Sequence, residues 1–343
     1  MDPIRYDWLG LTQETALDPE IPICDAHHHL WTHKGTYLID EFLREGDCGH
    51  KVVSSVFVAC EAMHRKDGPP EMQPVGETEF IERIASEGAR AHPGRTAIAA
   101  GIVGFADLTL GAAVAQVLEA HLGASPRRFR GIRHTLTWDP SPAIRTSAPH
   151  PGPMQMQDPR FRAGFACLQN YGLSFDAWLF HPQLPELVGL AQDFPGVPII
   201  VNHVGLPLGI GPYAGKRDEI FAAWKPSIAA LAGCPNVFMK LGGLGMPRSG
   251  FAWDERRAPC GSVDLAEATA PYYRHCIEAF GPQRCMFESN FPVDKISYSY
   301  CVLWNSFKLM TRGFSVDERK ALFCDTATSV YRLDQAVVAG TPG

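Results

Sequence analysis

The stretch IPICDAHHHLW, residues 21–31, is a short apolar run that leads into three adjacent histidines and a tryptophan. An apolar run of this length is typical of a strand that is buried on both faces. In parallel sheets, polar side chains at the carboxyl ends of such strands often form functional sites. The rest of the chain decides whether these histidines form a site or are an accident of composition.

Seven further runs of this kind follow, and most of them are separated by segments with helical spacing. The eight predicted strands cover residues 22–29, 52–59, 96–104, 129–138, 173–180, 197–203, 236–243 and 284–292. The predicted helices cover residues 79–92, 112–122, 161–171, 185–194, 219–233 and 265–281. Eight such repeats predict the α/β class and a parallel (β/α)8 TIM barrel. No glycine-rich phosphate loop follows the first strand, which argues against a dinucleotide-binding sheet.

The chain shows no low-complexity linker, so we predict a single domain. The predicted division is an N-terminal extension over 1–20, the barrel over 21–335 and a tail over 336–343. Three long loops rich in proline and glycine each follow a predicted strand, at residues 60–78, 139–158 and 243–264. In a barrel these loops lie on the C-terminal face, where active sites are built, and loops of this length often act as lids or binding loops.

The composition limits the classes of partner. The 343 residues carry a formal net charge of −6 and no basic stripe, which argues against nucleic acid. No apolar run is long enough to cross a bilayer, and the N-terminus lacks the pattern of a signal peptide. The ten cysteines are scattered without a CxxC pair, as in a reduced cytoplasmic protein. We expect a small-molecule substrate and no membrane partner, with exposed aromatics on the terminal helices compatible with a homodimer.

Alternation along the first strand separates the three histidines. His27 and His29 are two residues apart and share a face with Asp25, whereas His28 faces the helices or the loops. Such a pair presents two imidazoles to one cation or one carboxylate, or is a structural hydrogen-bonded pair. His203 ends the sixth predicted strand. Alone it would be an ordinary satisfied polar residue, but in a barrel it converges on the same mouth as His27 and His29.

The eighth predicted strand ends in FESNFPVDK, residues 287–295. Glu288 and Asn290 share a face of this strand, and Asp294 follows in the loop. Glu288 is either a buried, paired carboxylate or a general base. The strand therefore adds two carboxylates and an amide to the predicted barrel mouth.

Candidate substrate contacts come from other strand ends and from the long loops. Arg133 could hold a substrate carboxylate with two parallel hydrogen bonds, or form a surface salt bridge. His134, Lys240 and Trp178 are further candidates of the same type. The side chains expected to form a lid and set specificity are His64, Trp138, Met154, Met156, Phe251 and Trp253.

Taken in this order, the strand ends resemble the amidohydrolase superfamily, and within it the amidohydrolase-related branch of TIM-barrel lactonases. The matching pieces are DAHHHLW, GIR, FDAWLFHPQLPEL, VNHVGLP, KLGGLG and SNFPVD. The resemblance covers nearly the whole chain and implies a distorted (β/α)8 barrel. Members of the branch include sugar-lactone hydrolases and 2-pyrone-4,6-dicarboxylate lactonase.

The resemblance also implies roles for particular residues. The histidines that bind metal or substrate in the family match His27, His29 and His203. The family's eighth-strand aspartate, which acts as general base, matches Asn290, and an amide does not accept a proton at neutral pH. Arg133 stands where a carboxylated lysine would be needed, which argues against a binuclear metal centre.

Three sources of a base remain open. Glu288 could serve if burial raised its pKa, Asp294 could swing back over the mouth, or one divalent ion on the three histidines could activate water. The branch contains both metal-using members, with Zn²⁺ as the expected ion here, and metal-free members. We therefore expect a hydrolase that opens a lactone of a small organic acid. The alternatives are a non-oxidative decarboxylase and a catalytically inactive barrel that only binds a ligand.

Overall fold

The computed structural model describes residues 4–147 and 150–334. One sheet contains the eight strands in sequential order, and every neighbouring pair is parallel. The strands are β1 (Ile23–His28), β2 (Val52–Val58), β3 (Ala97–Gly104), β4 (Phe129–Ile132), β5 (Ser174–Ala177), β6 (Ile199–Val201), β7 (Val237–Leu241) and β8 (Cys285–Phe287). The predicted TIM barrel is confirmed.

Helices cover the outside of this sheet. They are α1 (Tyr6–Leu9), α2 (Ile39–Gly46), α3 (Val75–Ala91), α4 (Val114–Ala124), α5 (Pro159–Asn170), α6 (Leu184–Asp193), α7 (Arg217–Ala232), α8 (Ser262–Phe280), α9 (Tyr300–Met310), α10 (Val316–Lys320) and α11 (Thr326–Val330). The six predicted helices correspond to α3 to α8, whereas α1, α2 and the three helices after β8 were not predicted. Among the described residues, no helix combines the length and apolar character needed to span a membrane.

The barrel closes through the segment that follows β8 rather than through β8 itself. The backbone N–H of Asn290 donates to the carbonyl of His27 at 2.8 Å, and the N–H of His29 donates to the carbonyl of Phe291 at 2.8 Å. These two bonds place Asn290 beside the histidines of β1. The closure of the barrel and the assembly of its mouth therefore depend on the same backbone contacts.

Several predicted strands end earlier than expected, and two of them, β6 and β8, bear on the site. β6 ends at Val201, and a tight turn over Asn202–Gly205 follows, in which His203 has a φ of 55°. β8 ends at Phe287, and Asn290 further on has a φ of 55°. This left-handed conformation is uncommon for residues other than glycine, and where it occurs it is often associated with functional sites. His203 and Asn290 thus lie on turns beyond the strands.

The C-terminal segment closes the barrel at the amino ends of its strands. Tyr331, just after α11, is fully buried and packs in one apolar cluster with Cys24 of β1 and Met286 of β8. Its hydroxyl donates to Asp176 of β5 at 2.9 Å. The predicted tail at 336–343 lies outside the described residues.

The described part of the predicted N-terminal extension packs against the barrel. The carboxylate of Glu14 accepts hydrogen bonds from the backbone of Ser262 at 2.7 Å and from the side chain of Asn305 at 2.8 Å. Residues 4–20 are therefore tied to α8 and α9.

Candidate active site

A cavity of about 1320 Å³ opens at the carboxyl ends of the strands. Loops that follow β1, β2, β4, β6, β7 and β8 contribute to its wall. Six of the predicted site residues line it together: His29, His64, Arg133, Trp178, His203 and Asn290. The structure therefore brings the ends of distant strands to one mouth.

Glu288 joins two of the histidines from below the cavity. Its Oε1 lies 2.7 Å from Nδ1 of His203 and accepts the backbone N–H of the same residue at 3.1 Å. Its Oε2 lies 3.0 Å from Nδ1 of His27. The carboxylate is fully buried, and the two imidazoles are 2% exposed or less. One carboxylate thus orients two ring systems whose centroids are 4.7 Å apart.

Two glycines after β7 make this close packing sterically feasible. A Cβ atom on Gly242 would lie 2.3 Å from Cγ of Glu288, and one on Gly243 would lie 2.2 Å from Nδ1 of His203. Both distances are far below ordinary contact, so neither position tolerates a side chain without displacement of the site. The KLGG sequence at the end of β7 is explained by this approach.

Burial and nearby cations keep the imidazoles neutral. Burial lowers the pKa of His27, His29 and His203 well below the usual value. Arg133 reinforces the effect on all three, and Lys240 reinforces it on His27 and His203. Burial raises the pKa of Glu288 to about 8, while Lys240 acts in the opposite direction. Each neutral imidazole has one protonated and one unprotonated nitrogen. An ionised Glu288 accepts from Nδ1 of His203, and this leaves Nε2 of His203 unprotonated.

Lys240 lies beneath the histidines and not in the cavity wall. Its ammonium donates to Oδ1 of Asp176 at 2.6 Å and lies 3.3 Å from Nδ1 of His27. Asp176 also accepts from Asn202 at 2.9 Å, and every member of this group is fully buried. Lys240 supplies positive charge under His27, and this position does not support its predicted contact with substrate.

Asn290 connects the cavity to a second buried carboxylate. Its Oδ1 lies 3.3 Å from Nε2 of His29, and its Nδ2 donates to Oδ1 of Asp294 at 2.7 Å. The other oxygen of Asp294 accepts from the backbone of Gly245 and the hydroxyl of Tyr298, each at 2.8 Å. Asp294 is held on both sides behind Asn290. It is not placed to swing over the mouth, as one of the predicted alternatives required.

The family assignment follows from comparison with known proteins. The sequence profile of the family described as Amidohydrolase matches residues 24–333. The chain belongs to the amidohydrolase family. The protein y4mH of Sinorhizobium fredii is 34% identical over 337 residues, which cover 92% of this amidohydrolase and 99% of y4mH.

A lactonase similar in sequence and a solved amidohydrolase similar in structure also match most of this chain. The L-fucono-1,5-lactonase of Burkholderia ambifaria is 26% identical over 326 residues, covering 91% of this amidohydrolase and 96% of the lactonase. An amidohydrolase from Burkholderia multivorans, solved with bound zinc, superposes with a TM-score of 0.70 at 24% identity, covering 91% and 99% of the two chains. This last similarity bears on the fold alone.

The donor atoms suited to a metal ion in this amidohydrolase differ from the predicted set. Nitrogen atoms of His27 and His203 and an oxygen of Glu288 lie within 4.8 Å of one another. Oε2 of Glu288 is buried and makes no aligned hydrogen bond, although His27 is 3.0 Å away. His29 was predicted as the third ligand but is not part of this group; its Nδ1 bonds to the carbonyl of Val58 at 2.8 Å, and its Nε2 lies 3.3 Å from Oδ1 of Asn290. Two imidazoles and one carboxylate form a donor set that fits zinc.

On the first strand, the predicted side-chain direction is correct for His28 but not for Asp25. His28 packs against Phe42 and bonds to Ser55 on the helix side of the barrel, as predicted. Asp25 was predicted to share the face of His27. Instead it accepts from the backbone of Ser289 at 2.8 Å and from the hydroxyl of Tyr300 in α9 at 3.0 Å. A register shift between Asp25 and His28 breaks the alternation on which the prediction relied.

Several predicted substrate contacts lie away from the cavity. His134 is buried against Phe161, and its two ring nitrogens are bonded to the backbone of Leu108 and the side chain of Gln155. The predicted lid residues that do not line the cavity are Trp138, Met154, Met156, Phe251 and Trp253. Phe251 and Trp253 stack on each other instead, with ring centroids 4.2 Å apart. The positions of these residues do not support the predicted roles.

Sequence reasoning missed several residues of the cavity wall. Arg145 and Arg248 come from two of the long loops, and Trp31 follows the histidines of β1. The loops themselves had been predicted to lie at the mouth. Their cationic side chains were the available signal, since an arginine on a C-face loop is a candidate contact for an anionic ligand.

Proposed function

We propose that this amidohydrolase is a lactonase that opens a cyclic ester of a small organic acid by attack of water. Its similarity to a curated L-fucono-1,5-lactonase over 91% of the chain supports this class of substrate. The geometry of the cavity supports the same reaction. His203, which offers an unprotonated nitrogen, and Arg133, which carries a fixed positive charge, line the same mouth.

The pairing of Glu288 with His203 carries this proposal. The carboxylate bonds to Nδ1 of His203 at 2.7 Å, and His203 itself lines the cavity. Its Nε2 has no partner among the described residues, so this nitrogen is available to a water molecule. A buried carboxylate behind an imidazole orients the ring and stabilises the imidazolium that forms when the ring accepts a proton.

The proposed reaction needs few groups beyond this pair. Nε2 of His203 removes a proton from water while the oxygen attacks the ring carbonyl. The guanidinium of Arg133, held by His27 at 3.4 Å and by the carbonyl of Ala59, stabilises the resulting oxyanion. The ester C–O bond then breaks, and the leaving oxygen takes the proton from His203. The product acid ionises and releases one proton to the solution.

We also propose that the site accepts a single zinc ion. His27, His203 and Glu288 would hold it, and the buried Glu288 oxygen without an aligned hydrogen bond supports this. When bound, zinc supplies a Lewis acid that polarises a carbonyl and lowers the pKa of coordinated water. Arg133 and Lys240 each lie within 3.4 Å of a ring nitrogen of His27. Their positive charges would repel the zinc ion, so the ion would be weakly held. With the ion bound, His203 would be a ligand and would no longer accept a proton, so the role of His203 as base belongs to the metal-free site.

Proton release measured with a pH indicator tests the proposal. Purified protein is offered sugar, muconic and aromatic lactones, with H203A as the control. We expect turnover of at least one lactone, and turnover slower by about 100-fold or more in H203A. Release of CO₂ from an aromatic acid would instead indicate a decarboxylase. Thermal stabilisation by a lactone without turnover would indicate a barrel that only binds.

A further inference from the structure

The wall of the active-site cavity carries an excess of positive charge. Its cationic side chains are Arg5, Lys34, Arg133, Arg145 and Arg248, and its carboxylates are Glu61 and Asp254. Five cations thus stand against two carboxylates in an enclosed space. A cleft lined by one sign of charge concentrates ligands of the opposite sign. The charges are not evenly placed, because Arg133 lies at the strand ends and the others come from the loops and the N-terminal segment.

The backbone of Arg248 is held in position, while its guanidinium has no acceptor among the residues that the structure describes. Its carbonyl accepts the N–H of Gly209 at 2.8 Å, and the neighbouring Ser249 bonds to the carbonyls of Leu244 and Met246 at 2.7 Å. Within the described residues, no carboxylate or carbonyl bonds to the guanidinium of Arg248. Burial and the nearby Arg145 lower its pKa. The guanidinium of this half-exposed residue is therefore available to an anionic ligand in the cavity.

Arg145 comes from a different loop, the one that follows β4. Its side chain is exposed and likewise has no ion-pair partner in the described part of the chain. It raises the positive potential around Arg248, and both side chains line the same cavity as Arg133. Two like charges brought together without a counter-charge repel each other, and an anion between them would relieve the repulsion. The loops after β4 and β7 therefore each bring one arginine to the wall of this cavity.

We propose that Arg145 and Arg248 form a second anion subsite, remote from the reacting carbonyl, which binds a carboxylate or similarly charged oxyanion of the substrate. This inference rests on the proposed lactonase and narrows its substrate to lactones that carry an acidic substituent. Arginine suits this role because its planar group donates two parallel hydrogen bonds to a carboxylate. In this arrangement Arg133 binds the reacting carbonyl, whereas Arg145 and Arg248 bind the remote carboxylate of the substrate.

Direct binding tests the subsite without any need for turnover. The probes are propane-1,2,3-tricarboxylate and butyrate, measured by isothermal titration calorimetry on the full chain at low salt. We expect the tricarboxylate to bind and butyrate to bind at least 10-fold more weakly. R145Q and R248Q should each lower the affinity for the tricarboxylate by about 10- to 100-fold. This is the loss expected when a hydrogen bond to a charged group is removed. R256Q is the matched control, since Arg256 lies in the loop after β7 but pairs with Asp264.

The outcomes separate the two proposals. Arginine-dependent binding of the tricarboxylate by a protein that hydrolyses no lactone would overturn the lactonase and leave the subsite standing. Equal affinity of R145Q, R248Q and R256Q would overturn the subsite, and lactone turnover by the same variants would leave the lactonase intact. For an active enzyme, a lactone with a remote carboxylate should show a raised KM in R248Q, whereas its uncharged amide should not. Unchanged KM values for both would also contradict the subsite.

Discussion

The side-chain amide of Asn290 donates a 2.7 Å hydrogen bond to Oδ1 of Asp294, and both residues are buried. The resemblance to the family places an aspartate at position 290, so a neutral group stands where a carboxylate is usual. The structure shows why a carboxylate there would be costly. Asp294 already supplies one, and two carboxylates at this distance could not both be ionised.

The first prediction concerns an exchange of these two groups. N290D should lower the free energy of unfolding by about 2 kcal/mol or more, because it replaces a donor with a second buried acceptor. The double variant N290D/D294N should recover most of the loss. The amide introduced at position 294 can accept from Gly245 and Tyr298 and donate to the new carboxylate. Urea unfolding of the three proteins checks this, and an N290D protein as stable as the parent would contradict it.

The second prediction separates the base from the residue that orients it. H203A should lower kcat/KM by about 10²- to 10⁴-fold, the usual contribution of a general base. E288Q should lower kcat by a comparable factor with little change in KM, since Glu288 does not line the cavity. D294N serves as a comparison variant, because Asp294 is behind Asn290 and touches neither ring. A larger loss in D294N than in E288Q would reverse these assignments.

A third prediction gives the direction of the pH dependence. Activity requires the ionised form of Glu288, whose pKa is raised by burial to about 8. The rate should therefore rise with pH and level off above about pH 8. The profile of kcat/KM, measured from pH 6 to pH 9.5 in buffers of constant ionic strength, tests this. A rate that falls across the same interval would indicate that a protonated group is needed instead.

A fourth prediction concerns the buried ion pair of Lys240 and Asp176. Both side chains are fully buried and 2.6 Å apart. K240M should cost about 3–5 kcal/mol of stability, because it leaves the carboxylate of Asp176 buried without its cation. K240M/D176N should cost clearly less than the single variant. Denaturant titration measures both, and equal losses would show that the pair is not coupled.

A fifth prediction uses the histidine that faces the helices. Burial lowers the pKa of His28 to about 3, against 6.5 in an unfolded chain. The unfolded state therefore binds the proton first, and stability is lost as the pH falls below about 6.5. The linkage predicts a loss of about 2 kcal/mol between pH 7 and pH 5 from this group. H28Q should show a shallower slope of unfolding free energy against pH, and an unchanged slope would contradict the role of His28.

The architecture and the main residues of the mouth were predictable because they depend on local periodicity. The apolar runs predicted all eight strands in order, and the direction of His28 away from His27 and His29 followed from alternation. His203 was predicted from its position after an apolar run, although its left-handed turn was not. These features require only short-range information.

Other features depend on contacts between distant segments. Asp25 was misplaced because a register shift between β1 and β2 interrupts the alternation. Lys240 lies on an inward position as a substrate contact would, but its depth below the histidines is set by its pairing with Asp176 on β5. Arg145 and Arg248 line the same cavity only because two long loops fold over it. The spacing of residues in the sequence does not predict how deep Lys240 lies in the barrel. Nor does it predict that Arg145 and Arg248 line one cavity.

The hydroxyl of Tyr331 reaches Asp176, which bonds to Lys240, which in turn lies 3.3 Å from His27. This chain of contacts links the first strand, two middle strands and the turn after the last described helix. During synthesis on the ribosome, the amino-terminal histidines emerge roughly three hundred residues before the tyrosine that completes their support. A nascent chain that has not yet exposed Tyr331 therefore lacks the last contact of this buried support beneath His27.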